Sequence, residues 1–183
     1  AWFDDEFDEL MMYCNHLTFN SPTQWEKFKD RVLSNEKKIS CAIRINPEFS
    51  EVETDLYNPC AVGTRLGVTA DVLGDQLPEG IEGLHFHTLC ESDSYALERT
   101  LKQVEARFGH LLHQAKWLNL GGGHLMTRDG YDIDHLVKLI KGLKEKYDIN
   151  IIMEPGSAVA WATGYLTATV QDVLNSRGIY AAV

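Results

Sequence analysis

Apolar residues in this chain fall into short, nearly continuous runs separated by longer stretches with helical spacing. Asp4–Tyr13 predicts a helix with Phe7, Leu10 and Met11 on one face, and its carboxylates cluster near the start, as the helix dipole prefers. His16–Asn20 predicts a strand. Ser21-Pro22 then caps a second helix, with Trp25, Phe28, Val32 and Leu33 facing inward. Ile39–Asn46 predicts a second strand, and Ala70–Gly74 a short helix. Ile81–His87 predicts the third strand. Ser92–Phe108 predicts a helix on Leu97, Leu101, Val104 and Phe108. Trp117–Leu120 predicts the fourth strand. Asp132–Tyr147 predicts a helix with Ile133, Leu136, Val137, Ile140 and Leu143 inward. Ile149–Met153 predicts the fifth strand, and Tyr165–Val173 and Ile179–Val183 are β-rich.

Repeating strand–helix units with apolar strands predict parallel strands covered by helices. A doubly wound sheet and a TIM barrel both satisfy that alternation. The glycine run Gly121-Gly122-Gly123 decides between them. It follows the fourth strand, whereas a Rossmann fold carries its phosphate-binding glycines after the first. A whole barrel takes eight strands and about 250 residues, so 183 residues predict a partial one. The first residue is not Met and the last six form an apolar run. We therefore expect a piece of a longer protein. The expected division is a partial barrel over 1–160, with the end of the barrel and the start of a further β-domain over 161–183. The segment from Glu48 to Thr69 is longer than a scaffold connection needs, and it reads as a functional loop.

Composition narrows the partners. Seventeen basic residues against 27 acidic ones give a net charge of −10, which argues against nucleic acid or an anionic membrane as the main partner. No apolar run is long enough to span a bilayer, and no signal peptide opens the chain. Cys14, Cys41, Cys60 and Cys90 are widely spaced with no CxxC pair, so reduced thiols and a cytoplasmic location are expected.

In a barrel, the C-terminal ends of the strands face one pocket. Those ends carry Asn20, Asn46, His87, Gly121 and Glu154. Three successive glycines allow backbone N–H groups to converge on an oxyanion such as a phosphate; a flexible turn is the plain alternative. Glu154, before Pro155-Gly156, could ligate a metal, act as a base or pair with a cationic heterocycle, or simply be solvated. His85 and His87 alternate along the strand and so share a face. They suit either metal ligation or stacking on a planar ligand, and a hydrogen-bonded core histidine is the commoner fate of either alone. Arg65, between Gly63 and Gly67 in the long loop, is a candidate for an anion.

Four stretches occur in order with strand–helix spacers between them: Arg65–Val68, Leu84–Cys90, Leu120–His124 and Glu154–Gly156. In this the chain resembles the fold type III pyridoxal-phosphate enzymes of the alanine racemase-like fold, the group of ornithine and diaminopimelate decarboxylases. Further stretches, Ser50–Tyr57, Asn58-Pro59-Cys60, His87–Glu91 and Gly123–Arg128, resemble a branch acting on carboxylated polyamines. The likeness covers essentially the whole chain. It implies pyridoxal 5′-phosphate as cofactor, a small-molecule carboxylated polyamine as substrate, and a homodimer in the full-length enzyme. It also implies that His87 stacks on the pyridine ring, that Glu154 pairs with the ring nitrogen, and that Arg65 lies near the phenolic side. Gly121, Gly122 and Gly123 would bind the phosphate, with Cys90 and Gly156 nearby. Glu91 and His124 would meet substrate, and the carboxylates Glu51, Glu53, Asp55 and Glu91 would suit a polyamine cation. No metal is implied.

By the same resemblance, the five strands correspond to barrel strands three to seven within a piece covering roughly strands 3 to 8. The family's Schiff-base lysine would lie on a strand before this chain, and its second catalytic set in a C-terminal β-domain that is largely missing. Three alternatives stay open: a decarboxylase acting on diaminopimelate, an inert pyridoxal-phosphate-binding barrel, and a metal-dependent barrel hydrolase using His85, His87 and Glu154.

Overall fold

The computed structural model describes residues 2–52 and 54–183. Ala1 and Glu53 lie outside the described residues, as does the side chain of Asp55. Five strands form one parallel sheet in the order of the chain: β1 (His16–Phe19), β2 (Ser40–Arg44), β3 (Ile81–His85), β4 (Trp117–Asn119) and β5 (Asn150–Ile152). Each strand pairs only with its sequence neighbours, and all their C-terminal ends lie on one side. A doubly wound sheet would reverse its strand order partway across, so this order is that of a barrel segment. The strands run slightly shorter than the apolar runs, but their hydrogen bonding does not stop with them. Ile45 N–H donates to the His85 carbonyl at 2.7 Å, Phe86 to Asn119 at 3.0 Å and Glu154 to Gly121 at 2.9 Å.

Helices α1 (Phe7–Tyr13), α2 (Pro22–Leu33), α3 (Ala70–Leu73), α4 (Ser94–Leu112), α5 (Ile133–Tyr147) and α6 (Gly156–Ala160) fill the connections. The side chains that start the long ones are legible in the sequence. Ser21 Oγ accepts the Gln24 N–H at 3.1 Å, Asp93 the Ala96 N–H at 2.8 Å and Asp132 the His135 N–H at 2.9 Å. Each satisfies a donor that the first helical turn cannot.

The core lies between the sheet and these helices. Trp25, Phe28 and Val32 of α2 enter it, as do Leu97, Leu101, Val104 and Phe108 of α4. Three inward assignments fail. Leu33 is 55% exposed, Ile133 46% and Val137 41%. On α5 the buried line is Leu136, Leu143 and Tyr147, so the apolar stripe was read one row too wide. The β-rich stretch Tyr165–Val173 also makes no strand until its last residue. There the antiparallel hairpin of β6 (Val173–Ser176) and β7 (Ile179–Ala182) begins, separate from the parallel sheet and exposed throughout. All four cysteines are free, and among the described residues no helix is long and apolar enough to cross a membrane.

Candidate active site

The C-terminal ends of β2, β3 and β5 open into a cavity of about 420 Å³, where Arg44, His85, His87 and Glu154 meet the loop residues Leu56–Pro59. Arg44, His85 and Glu154 also line a second cavity of about 360 Å³ that runs inward past Thr18. These three side chains therefore border both cavities. Arg44 stands opposite His85 in the β2–β3 register.

Glu154 is held by its neighbours. Its Oε1 accepts from Asn119 Nδ2 at 2.8 Å, and Asn119 Oδ1 in turn accepts the Gly121 N–H at 2.8 Å. One amide thus ties the acidic strand end to the glycine turn. His87 is held similarly: its Nδ1 accepts the Gly122 N–H at 3.1 Å. In the neutral ring the proton is therefore on Nε2. Burial lowers the His87 pKa, and the Arg44 charge pushes the same way against the opposing pull of Glu154. At His85 burial dominates and brings the pKa down to about 4; Glu154 opposes, while Arg44 and His87 assist. Among the described residues, neither buried ring nitrogen of His85 has a hydrogen-bond partner. Burial lowers the Arg44 pKa as well, opposed by Cys60 and Glu154.

Two N–H groups of the glycine turn are engaged within the chain: Gly121 donates to Asn119 and Gly122 to His87. What the turn requires is the absence of side chains. A Cβ on Gly121 would lie 2.4 Å from the Phe86 carbonyl oxygen, on Gly122 2.8 Å from that of Glu154, and on Gly123 2.1 Å from that of Leu89. Gly121 and Gly123 also have φ of +67° and +82°. The three glycines let the β4 turn close onto the end of β3.

The other candidates divide. Cys90 is exposed and packed beside Gly123, with Ser92 N–H donating to the Gly123 carbonyl at 2.8 Å. Gly156 opens α6 next to Glu154, whose carbonyl accepts its N–H at 2.8 Å. Glu91 is exposed at the start of the loop leading into α4. His124 is a correction. It is 1% exposed and its Nε2 lies 3.1 Å from the Leu120 carbonyl, so it is a core histidine that substrate does not reach. Arg65 lines a neighbouring cavity with Asn20 and Lys27, and its carbonyl accepts from Asn20 Nδ2 at 2.9 Å. Glu51 faces Arg99, and its carboxylate is neutralised there. Arg44 and Asn119 are the residues that sequence reasoning missed. The signal was present as a polar residue inside each of two apolar strands. Among the described residues, no three His, Cys, Asp or Glu side chains form a metal-binding group, so the hydrolase alternative has no ligand cluster.

A parallel run of strands in chain order, with a carboxylate, two histidines and an arginine at its C-terminal ends, is the arrangement of a partial barrel with its pocket at the strand ends. The chain is similar to carboxynorspermidine decarboxylase from Campylobacter jejuni, solved in complex with norspermidine. That match has a TM-score of 0.82 at 38% identity and covers 100% of this chain and 46% of the other. It is 48% identical over 173 residues to carboxyaminopropylagmatine decarboxylase of Synechocystis sp., covering 94% of this chain and 44% of that protein. It is 42% identical over 177 residues to carboxynorspermidine/carboxyspermidine decarboxylase of Campylobacter jejuni subsp. jejuni serotype O:6, covering 97% and 45%. The chain thus spans under half the length of each of these three relatives. No family model matches it.

Proposed function

We propose that the full-length protein is a pyridoxal-phosphate-dependent decarboxylase of a carboxylated polyamine, converting carboxynorspermidine to norspermidine and carboxyspermidine to spermidine. The observation that carries this reading is the Asn119 bridge. It fixes a strand-end carboxylate and a glycine turn in one unit beside His87 and Arg44.

The residues present fit the cofactor. The pocket volume is in the range for a small ligand, and Glu154, His87 and Arg44 offer a carboxylate, a planar ring and a cation around it. When bound, pyridoxal phosphate supplies an electron-accepting ring for the pair left by the departing carboxylate. Glu154 would keep the ring nitrogen protonated, with Asn119 aiming its Oε1. His87 would lie against the ring face, its plane held by the Gly122 N–H. Arg44 would meet an oxygen of the ring or of the substrate carboxylate. We assign the phosphate to the side of Gly121–Gly123, Cys90 and Gly156. The net reaction replaces the Cα–carboxylate bond by a Cα–H bond, taking up one proton and releasing CO₂.

A second substrate has support of its own. The relative that is 48% identical acts, by name, on carboxyaminopropylagmatine, which ends in a guanidinium group. We further propose, from the resemblance, a homodimer, a cytoplasmic location, a barrel portion over 1–160 and a junction to a β-domain over 161–183. The exposed β6–β7 hairpin, separate from the parallel sheet, supports that junction. The test is a substrate panel on the full-length protein loaded with pyridoxal phosphate. Carboxynorspermidine, carboxyaminopropylagmatine and diaminopimelate are each supplied, and CO₂ and amine products are measured. Norspermidine release from the first supports the proposal, and preference for the second redirects it within the class. Turnover of diaminopimelate alone, or of none, overturns it.

A further inference from the structure

The loop between β2 and α3 supplies the pocket wall Leu56–Pro59, yet that wall has little beneath it: Leu56 is 83% exposed and Tyr57 67%. Its support lies earlier in the loop. Glu48 N–H donates to Asn46 Oδ1 at 2.8 Å, and Ser50 Oγ donates to the carbonyl of Thr88, the residue after His87, at 2.7 Å. Between the Ser50 anchor and the wall, Glu51 meets Arg99 of α4 in a two-pronged pair. Arg99 Nε donates to Oε1, and Nη2 donates to Oε2 at 2.7 Å. Two helical turns further along α4, Arg107 Nε lies 3.6 Å from Glu48 Oε2. The opposite face of α4 is buried in the core, so both arginines project from a fixed body.

A single exposed ion pair contributes about 0–1 kcal/mol at most sites. This one is bidentate, adjoins a second pair and shares its segment with the Ser50 hydrogen bond, and such geometry and networking raise the effect of a surface pair. We infer that the Arg99–Glu51 fork is a positioning element that holds the Leu56–Pro59 wall over the pocket and thereby sets the affinity for the substrate's aliphatic chain. Arg99 touches no pocket group and acts only through the loop.

The inference rests on the decarboxylase reading for its kinetic arm alone. Arg65 is the one Lys or Arg between Arg44 and Arg99, and it is exposed in the same loop, so tryptic cleavage after Arg65 reports how firmly the loop is held. In the full-length protein, Arg99→Gln and Glu51→Gln should each speed that cleavage about fivefold, and the double variant no further, because both remove one interaction. About 0.5 M NaCl should speed cleavage of the wild type and not of the variants. With carboxynorspermidine, both variants should raise KM several-fold with kcat within about twofold, the pattern of lost uniform binding. Arg99→Lys should recover part of the loss. Equal cleavage rates in wild type and variants overturn the inference, as does faster cleavage with unchanged KM. A wild-type protein that turns over no polyamine defeats the functional reading, and the cleavage rates still decide whether the fork holds the loop.

Discussion

The two ends of the parallel sheet are built on opposite principles. At the N-terminal end, Glu82 accepts from Ser40 Oγ at 2.7 Å and pairs with Lys116 at 2.5 Å and Lys38 at 3.3 Å. Trp117 Nε1 donates to the same Ser40 hydroxyl at 2.8 Å, with its indole lying across Gly83, where a Cβ would come within 2.3 Å of the ring. The cationic and hydroxyl partners, Lys116 first, hold the Glu82 carboxyl down at about 2. The Glu82 carboxylate there is matched by Lys116 and Lys38. At the C-terminal end, among the described residues, neither His85 nitrogen nor Thr88 Oγ1 has a partner. Each buried polar group left unpaired costs about 1–3 kcal/mol. One end contributes stability; the other keeps polar groups that a ligand can satisfy, which is the division of labour of barrel enzymes.

Three substitutions sharpen or break that contrast. The largest effect should come from Glu154→Gln in the full-length enzyme. The amide oxygen still accepts from Asn119, so the melting temperature should hold. On the proposed function the cofactor's ring nitrogen would lose its anion, and decarboxylation should fall by at least about a hundredfold, roughly 2.7 kcal/mol of transition-state stabilisation. Equal loss of stability and activity would erase the difference between the two ends. Gly123→Ala should act on both properties. Its Cβ would enter the Leu89 carbonyl at a backbone angle disfavoured for alanine, and chemical denaturation should show a loss of about 2–4 kcal/mol.

Glu82→Gln should be smallest and confined to stability, about 1 kcal/mol at neutral pH with activity unchanged. Its pH dependence has a definite sign. The folded carboxyl near 2 lies below the ordinary 4.5, so the stabilisation is fully present above 4.5 and is lost as pH falls towards 2. The gap between wild type and variant should close over that window. A gap that persists at pH 2 would mean that packing at Glu82, rather than its charge, is what the substitution removes.

The scaffold was more legible than the site. Helix starts announced themselves through Ser21, Asp93 and Asp132, and strand order followed from the position of the glycines. His87 and Glu154 could be placed because strand ends converge in a barrel. Arg44 could not, because a charged residue within a strand reads as solvent-facing until both faces of the sheet are known. Asn119 was hidden for the same reason. His124 misled in the other direction. After the tight glycine turn its ring folds back on Leu120, a reversal that residue spacing does not encode. The triple glycine was noticed for close backbone approach, and the structure shows such approach to Phe86, Leu89 and Glu154 of its own chain.

Strand order also bears on how the chain comes to be folded. Parallel sheets as a class fold slowly, since distant segments must meet before any contact rewards them. Here every pairing joins consecutive strands, from β1 with β2 to β4 with β5, so no strand waits for a partner made much later. Each strand–helix unit leaving the ribosome finds its docking edge already built by the unit before it. Assembly can therefore proceed vectorially, one crossover at a time, each new strand adding to the edge left by the one before it.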